Sequence, residues 1–335
     1  MNLKYLPNTK DIASEVSEFI TLWQDTPPSL IQKTSGSTGT PKDIELKKDI
    51  MRASAQMTNA FFHLQKESSA LLCISPKFIG GKMMLVRSIL GAFNLTVAPI
   101  SANPLKNLNH PIDFAAFVPY QIEKIIQETP EKLNLISSII IGGAPISVQL
   151  EEKLLNFNSN AYATFGMTET VSHIALRKID STQEPYKRIG DTQFSTDENG
   201  NLIIHAPTLS IEALKTNDRV ELIGNHSFHW LGRNDFVINS GGIKLHPETI
   251  ERKIAKILGD DQFIIAGIPH ESFGEEVVAI TLSNTLKNKA KQTDFTKLNP
   301  YEVPKRWMVI PTFEMTKSGK IDRKQTVLKL QRSKK

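Results

Sequence analysis

The strongest constraint on this chain is a recurrence of short apolar runs. Residues 71–75, 93–99, 114–118 and 136–141 are each short enough for a strand and apolar enough to be buried. Helical segments lie among them, over 82–90, 120–128 and 147–155. Alternation of this kind predicts an α/β domain. Upstream, 30–32 reads as a short strand entering a Gly/Ser/Thr loop. Ile50, Ala53, Met57, Ala60, Phe61 and Leu64 then share one face of an amphipathic helix.

The pattern changes beyond Asp180. Residues 202–205, 219–223 and 228–231 are short alternating strands, and Asn199-Gly200 signals a hairpin. A strand over 236–239 meets Gly241-Gly242. Pro247 then suits the first position of a helix whose Ile250, Ile254, Ile257 and Leu258 form one apolar stripe. Strands follow at 263–268 and 277–282. The expected division is a large α/β domain over 1–234 and a small α+β domain over 235–335.

Composition excludes several classes. No run of 18 apolar residues offers a transmembrane helix. The segment 1–14 lacks the charged start, apolar centre and small-residue cleavage site of a signal peptide. One cysteine, Cys73, rules out an intramolecular disulfide and a Cys-rich zinc site, and the expected location is a reducing cytoplasm. The net charge of +5 collects near the C-terminus, where it reads as a solvated tail or as a surface for a polyanion such as a nucleotide or CoA. Nucleic acid is not expected, because no aromatic residues are interleaved with the cations.

The densest chemistry lies in Thr34-Ser35-Gly36-Ser37-Thr38-Gly39-Thr40-Pro41-Lys42. Two glycines let backbone N–H groups approach an anion, and hydroxyls and Lys42 add donors. Gly-Lys-Ser/Thr is absent, so this is not a Walker A loop. The string resembles the phosphate loop of the adenylate-forming superfamily: acyl-CoA synthetases, luciferase-like enzymes and peptide-synthetase adenylation domains. Further motifs of that superfamily follow in order. Gly142-Gly143-Ala144-Pro145 resembles its adenine turn. Tyr162 to Glu169 resembles its aromatic-x-x-x-Gly-x-Thr-Glu segment, with Phe165 and Gly166 at the nucleotide. That match implies that Thr168 holds the AMP phosphate and Glu169 ligates Mg²⁺.

Thr216-Asn217-Asp218 matches Thr-Gly-Asp with Asn for Gly, implying that Asp218 binds ribose. Gly232-Arg233-Asn234-Asp235 matches the hinge segment, with Arg233 on ribose and phosphate and Asp235 as pivot. Ser240-Gly241-Gly242 matches the pantetheine tunnel. Thr316 to Arg323 resembles the C-terminal Gly-Lys motif, implying that Lys320 is catalytic. The resemblance therefore implies an ATP- and CoA-dependent acid ligase with a mobile small domain. Only 33 residues precede the phosphate loop, where family members usually carry a long region. A trimmed large domain is implied, with a homodimer as one way to replace the packing surface.

The acid is less constrained. Lys77, Lys82 and Arg87 are cations in the apolar stretch 75–87, and one of them could pair with a second carboxylate on the substrate. Gly166-Met167-Thr168-Glu169-Thr170-Val171-Ser172-His173-Ile174 resembles the corresponding segment of o-succinylbenzoate–CoA ligases of menaquinone synthesis, with His173 at a polar substrate position. Two alternatives stay open: an aryl or short-chain ligase, or an enzyme loading a carrier protein. A non-catalytic nucleotide-binding protein is a third, from another class.

Overall fold

The computed structural model describes residues 1–33, 43–182, 184–315 and 321–332. The candidate phosphate loop, Thr34 to Lys42, and the segment 316–320 with Lys320 lie outside them. Among the described residues, twelve strands form one sheet. Its parallel half runs, in spatial order, Asn2–Tyr5, Asn94–Val97, Ser69–Leu72, Ile112–Phe117, Ile136–Ile141 and Asn160–Gly166. From there His173–Lys178, Tyr186–Arg188, Ser227–Arg233, Ile211–Ile223, Asn201–Ala206 and Gln193–Thr196 continue it antiparallel.

The apolar runs follow from burial on both faces. Successive side chains of a strand point to opposite faces. Leu72 and Ile140 enter one core with Met83, Met84 and Val86, whereas Leu71, Ile139 and Ile141 enter another with Ile122 and Ile125. A parallel sheet covered on both sides therefore needs unbroken apolar strands.

A second sheet is built from Ile238–Ser240, Ile243–Leu245, Gly274–Thr281, Phe263–His270 and Arg306–Val309. One of its cores includes Ile250, Ile254 and Leu258 of the helix Pro247–Leu258, and Leu286 and Ala290 of the helix Asn284–Gln292. On the other, Val327 and Leu330 of the helix Arg323–Arg332 pack against Ile264 and Val278. No described helix is long and apolar enough to cross a membrane.

Three local expectations change. The strand expected at 236–239 begins at Ile238; Asn234–Phe236 is a 3-10 turn closed by the Val237 N–H on the Asn234 carbonyl at 3.3 Å. In the helix Lys48–Phe61 the buried face is Met51, Ser54, Ala55, Met57 and Thr58, rotated from the expected stripe. Its small Ser54 lets the helix pack closely, and Asn59 Nδ2 donates to the Arg87 carbonyl on the neighbouring helix Ile79–Gly91 at 3.2 Å. The sequence reading also passed over the helix Lys10–Gln24, which buries Ile12, Val16, Phe19 and Trp23 at helical spacing. Lys48 Nζ closes that helix's C-terminal end, donating to the carbonyls of Leu22, Trp23 and Asp25 at 2.9, 3.0 and 2.8 Å.

Candidate active site

In open α/β sheets, ligands bind beyond the carboxyl ends of the strands. Ile136–Ile141 and Asn160–Gly166 are paired neighbours there, with Ile141 opposite Ala163. The turn Gly142 to Pro145 leaves the first of them and presses on the second: a Cβ at Gly142 would stand 2.2 Å from Thr164 Oγ1. Beyond Gly166 the chain reverses. The Met167 N–H donates to Thr170 Oγ1 at 3.0 Å, and that hydroxyl donates to the Ser172 carbonyl at 2.7 Å. Thr170 is fully buried, and Val171 is held at φ +64°, a costly conformation for a β-branched residue. This anchored turn presents Thr168 half-buried and Glu169 exposed at the strand end.

No group of three or more His, Cys, Asp or Glu gathers for a metal among the described residues. Mg²⁺ is commonly held by one or two carboxylates together with substrate phosphates and water. A single exposed Glu169 fits that kind of site. Gly166→Ala should distort it, since the new Cβ would lie 2.3 Å from the Ser172 carbonyl oxygen and 2.5 Å from His173 Cα. The expected cost is about 1–3 kcal/mol in unfolding free energy, with weaker ATP binding, measured by denaturant titration and calorimetry. Unchanged stability and affinity would show that the turn tolerates displacement.

Further along the sheet, Asp218 and Arg233 are register partners on neighbouring strands. Asp218 is buried; its Oδ1 accepts from Trp230 Nε1 at 3.0 Å, and its Oδ2 lies 3.5 Å from Arg233 Nη1. Burial pushes its carboxyl above the usual Asp value, against the opposing pull of Trp230 and Arg233. A carboxylate has about four acceptor sites, so capacity for hydroxyls remains. Arg233 Nη2 also reaches Asp235 Oδ2 at 3.4 Å. Phe165 packs edge-on to Phe228 at 5.1 Å, tying the strand Asn160–Gly166 to this half of the sheet.

Gly241 and Gly242 form the two-residue turn of the hairpin Ile238–Ser240 to Ile243–Leu245, with φ +61° and +82°. That pair of positive φ values is the kind a tight hairpin needs. Both glycines are exposed.

The structure separates the three candidate cations. Lys77 is 74% exposed and pairs with Glu15 at 3.0 Å. Lys82 is half-buried and donates to Gln32 Oε1 at 2.6 Å. Arg87 is 1% exposed, and no carboxylate pairs with it among the described residues. Its Nη2 donates to Ser172 Oγ at 2.8 Å, while its Nε is buried without a partner. Burial lowers its pKa to about 9.

His173 lies beside this cation. Its Nε2 is 3.2 Å from Thr58 Oγ1 and its Nδ1 is 3.3 Å from Ser172 Oγ. Burial and the Arg87 charge hold the imidazole well below its usual pKa, hence neutral. Sequence reading overlooked Thr58 and Ser172 as members of this cluster. Ser172 was detectable as the neighbour of His173; Thr58 lay on the misassigned helix face.

The profile of the AMP-binding enzyme family matches residues 8–197. An acyl-CoA synthetase (AMP-forming)/AMP-acid ligase II-like protein from Dyadobacter fermentans is 31% identical, with a TM-score of 0.64 over 98% of this chain and 96% of its own. The 2-succinylbenzoate–CoA ligase of Staphylococcus aureus is 22% identical over 95% of this chain and 73% of its own length. The o-succinylbenzoate CoA synthetase of Bacillus subtilis shares the fold, with a TM-score of 0.73 at 20% identity over 88% of this chain and 68% of its own. The chain belongs to the AMP-binding enzyme family and is an AMP-forming acid–thiol ligase of the adenylate-forming superfamily.

Proposed function

We propose that this enzyme converts o-succinylbenzoate to its acyl-adenylate and then transfers the acyl group to CoA. The observation carrying this reading is Arg87, a buried guanidinium with no carboxylate partner among the described residues. A buried charge without a partner is costly. An acid with a second carboxylate supplies one, and Ser172, with neutral His173 beside it, adds polar contacts at the same point. Relatives named 2-succinylbenzoate–CoA ligase in S. aureus and Escherichia coli support that choice of acid.

In the first half-reaction a carboxylate oxygen of the acid attacks the α-phosphorus of ATP in line, and pyrophosphate leaves. The substrate is itself the nucleophile, so the protein's part is positioning and charge stabilisation. The segment 34–42 holds the β- and γ-phosphates, Thr168 the α-phosphate, Asp218 and Arg233 the ribose side, and the turn 142–145 the adenine. Lys320 adds positive charge at the reacting carboxylate. Glu169 would hold Mg²⁺, which would supply neutralisation of the phosphate charge. In the second half-reaction the small domain pivots at Asp235, and Ser240 to Gly242 guide the CoA thiol to the acyl carbon, with AMP leaving. Two poses let one pocket serve steps that need different groups.

The test is pyrophosphate release with ATP, Mg²⁺ and CoA across o-succinylbenzoate, benzoate, acetate and a long-chain fatty acid. Turnover confined to o-succinylbenzoate is expected. Preference for another acid rejects the substrate but keeps the chemistry. Pyrophosphate release without a CoA thioester points to a carrier-bound acceptor.

A further inference from the structure

The helix Val148–Leu154 begins at the Ser147 cap, two residues beyond the turn 142–145, and it is one of the places where the large sheet's domain meets the helix Pro247–Leu258. Val148 is buried within the second sheet's core beside that helix's Ile250 and Ile254. Gln149 Nε2 donates to the Ala255 carbonyl at 3.1 Å. Arg252 forks onto Glu151, with Nη1 to Oε1 at 3.1 Å and Nη2 to Oε2 at 2.9 Å, and its Nη1 lies 3.5 Å from the Ile146 carbonyl. Arg177, from the large sheet, holds the other side of Glu151 at 2.6 Å. Glu151 is 13% exposed and Arg177 11%. Burial alone would raise the Glu151 pKa, but the two guanidiniums bring it below the usual carboxylate value. The carboxylate is therefore charged, bidentate and largely dry at neutral pH, the geometry in which an ion pair is strongest.

We propose that Arg252 is a positioning residue: its fork onto Glu151 latches the small domain to the helix that follows the nucleotide turn, and so sets the balance between the two half-reactions. This rests on the two-pose reading above. Arg177 makes Glu151 a fixed anchor within the large domain, so the bond to Arg252 must break, together with the Gln149 and Val148 contacts, when the small domain turns. The Ile146 carbonyl lies one residue from Pro145, so the latch adjoins the turn proposed to hold the adenine.

Arg252→Met is the informative variant, because Glu151 keeps Arg177 and is not left unpaired. Two labels, at Glu123→Cys and Lys297→Cys on exposed positions of the two domains, report their separation. Cys73 is buried with its thiol pKa pushed up, so it does not compete for label. The expected result is a shifted or broadened distance distribution in Arg252→Met. Alongside it, the ratio of adenylation rate to thioester formation from preformed acyl-adenylate changes by about fivefold or more. Arg252→Lys, which keeps the charge but loses the fork, should recover part of both. An unchanged distribution overturns the latch, as does an equal fall of both half-reactions together with melting temperature. If no acid supports turnover in the parent enzyme, the function proposed above fails, and the distance measurement alone decides the latch.

Discussion

Replacing Arg87 by methionine is expected to lower kcat/KM for o-succinylbenzoate by about 10²–10³-fold while making the free enzyme more stable. Both effects come from one fact: Arg87 is a fully buried cation that, among the described residues, donates from its side chain to the neutral Ser172 hydroxyl and meets no carboxylate. In the unliganded protein, exchanging it for an apolar side chain of similar length removes an uncompensated charge, and unfolding free energy should rise by about 1–2 kcal/mol. With the acid bound, the same exchange strands the substrate carboxylate in a dry site, a loss of about 3–4 kcal/mol. Benzoate, which lacks the second carboxylate, should lose far less. Steady-state kinetics with both acids and a denaturant titration read these effects. An equal loss for both acids, or a fall in stability, would assign Arg87 to structure rather than recognition.

Lys320→Ala is expected to slow adenylation by about 10²–10³-fold, the usual scale for removing one group that stabilises developing charge. Thioester formation from preformed acyl-adenylate should change by less than about tenfold, because the proposed cycle gives that step to the other pose. Single-turnover measurements of the two half-reactions separate them. Parallel losses would remove Lys320 from the special role that its motif implies.

Much of the architecture was legible because it rests on local rules. The parallel strands are buried on both faces, so they had to be apolar runs, and their helices had to alternate with them. Pro247 opens its helix as expected, and Asn199-Gly200 sits in the connection between Gln193–Thr196 and Asn201–Ala206, with Gly200 at φ +76°. Where local rules are weak, the reading missed. The edge strand Asn2–Tyr5 is exposed throughout, so it carries no burial signature. The helix Lys48–Phe61 turns Ser54 and Thr58 inward, which a rule that looks for large apolar residues cannot find.

The sequence by itself determined the family, because the turns and charged donors that its motifs resemble demand particular residues at particular spacings. It could not rank Lys77, Lys82 and Arg87. All three are cations within eleven residues of chain, and their distinction is environmental: one meets Glu15 in solvent, one meets Gln32, and one is sealed against Ser172. Nor could it reveal the latch, since Glu151, Arg177 and Arg252 are far apart in the chain and each alone reads as a solvated charge. Only the tertiary structure brings them together, with Glu151 and Arg177 largely buried and Arg252 partly exposed. The same charge then changes from a weak surface feature into one able to bind a carboxylate or hold a domain.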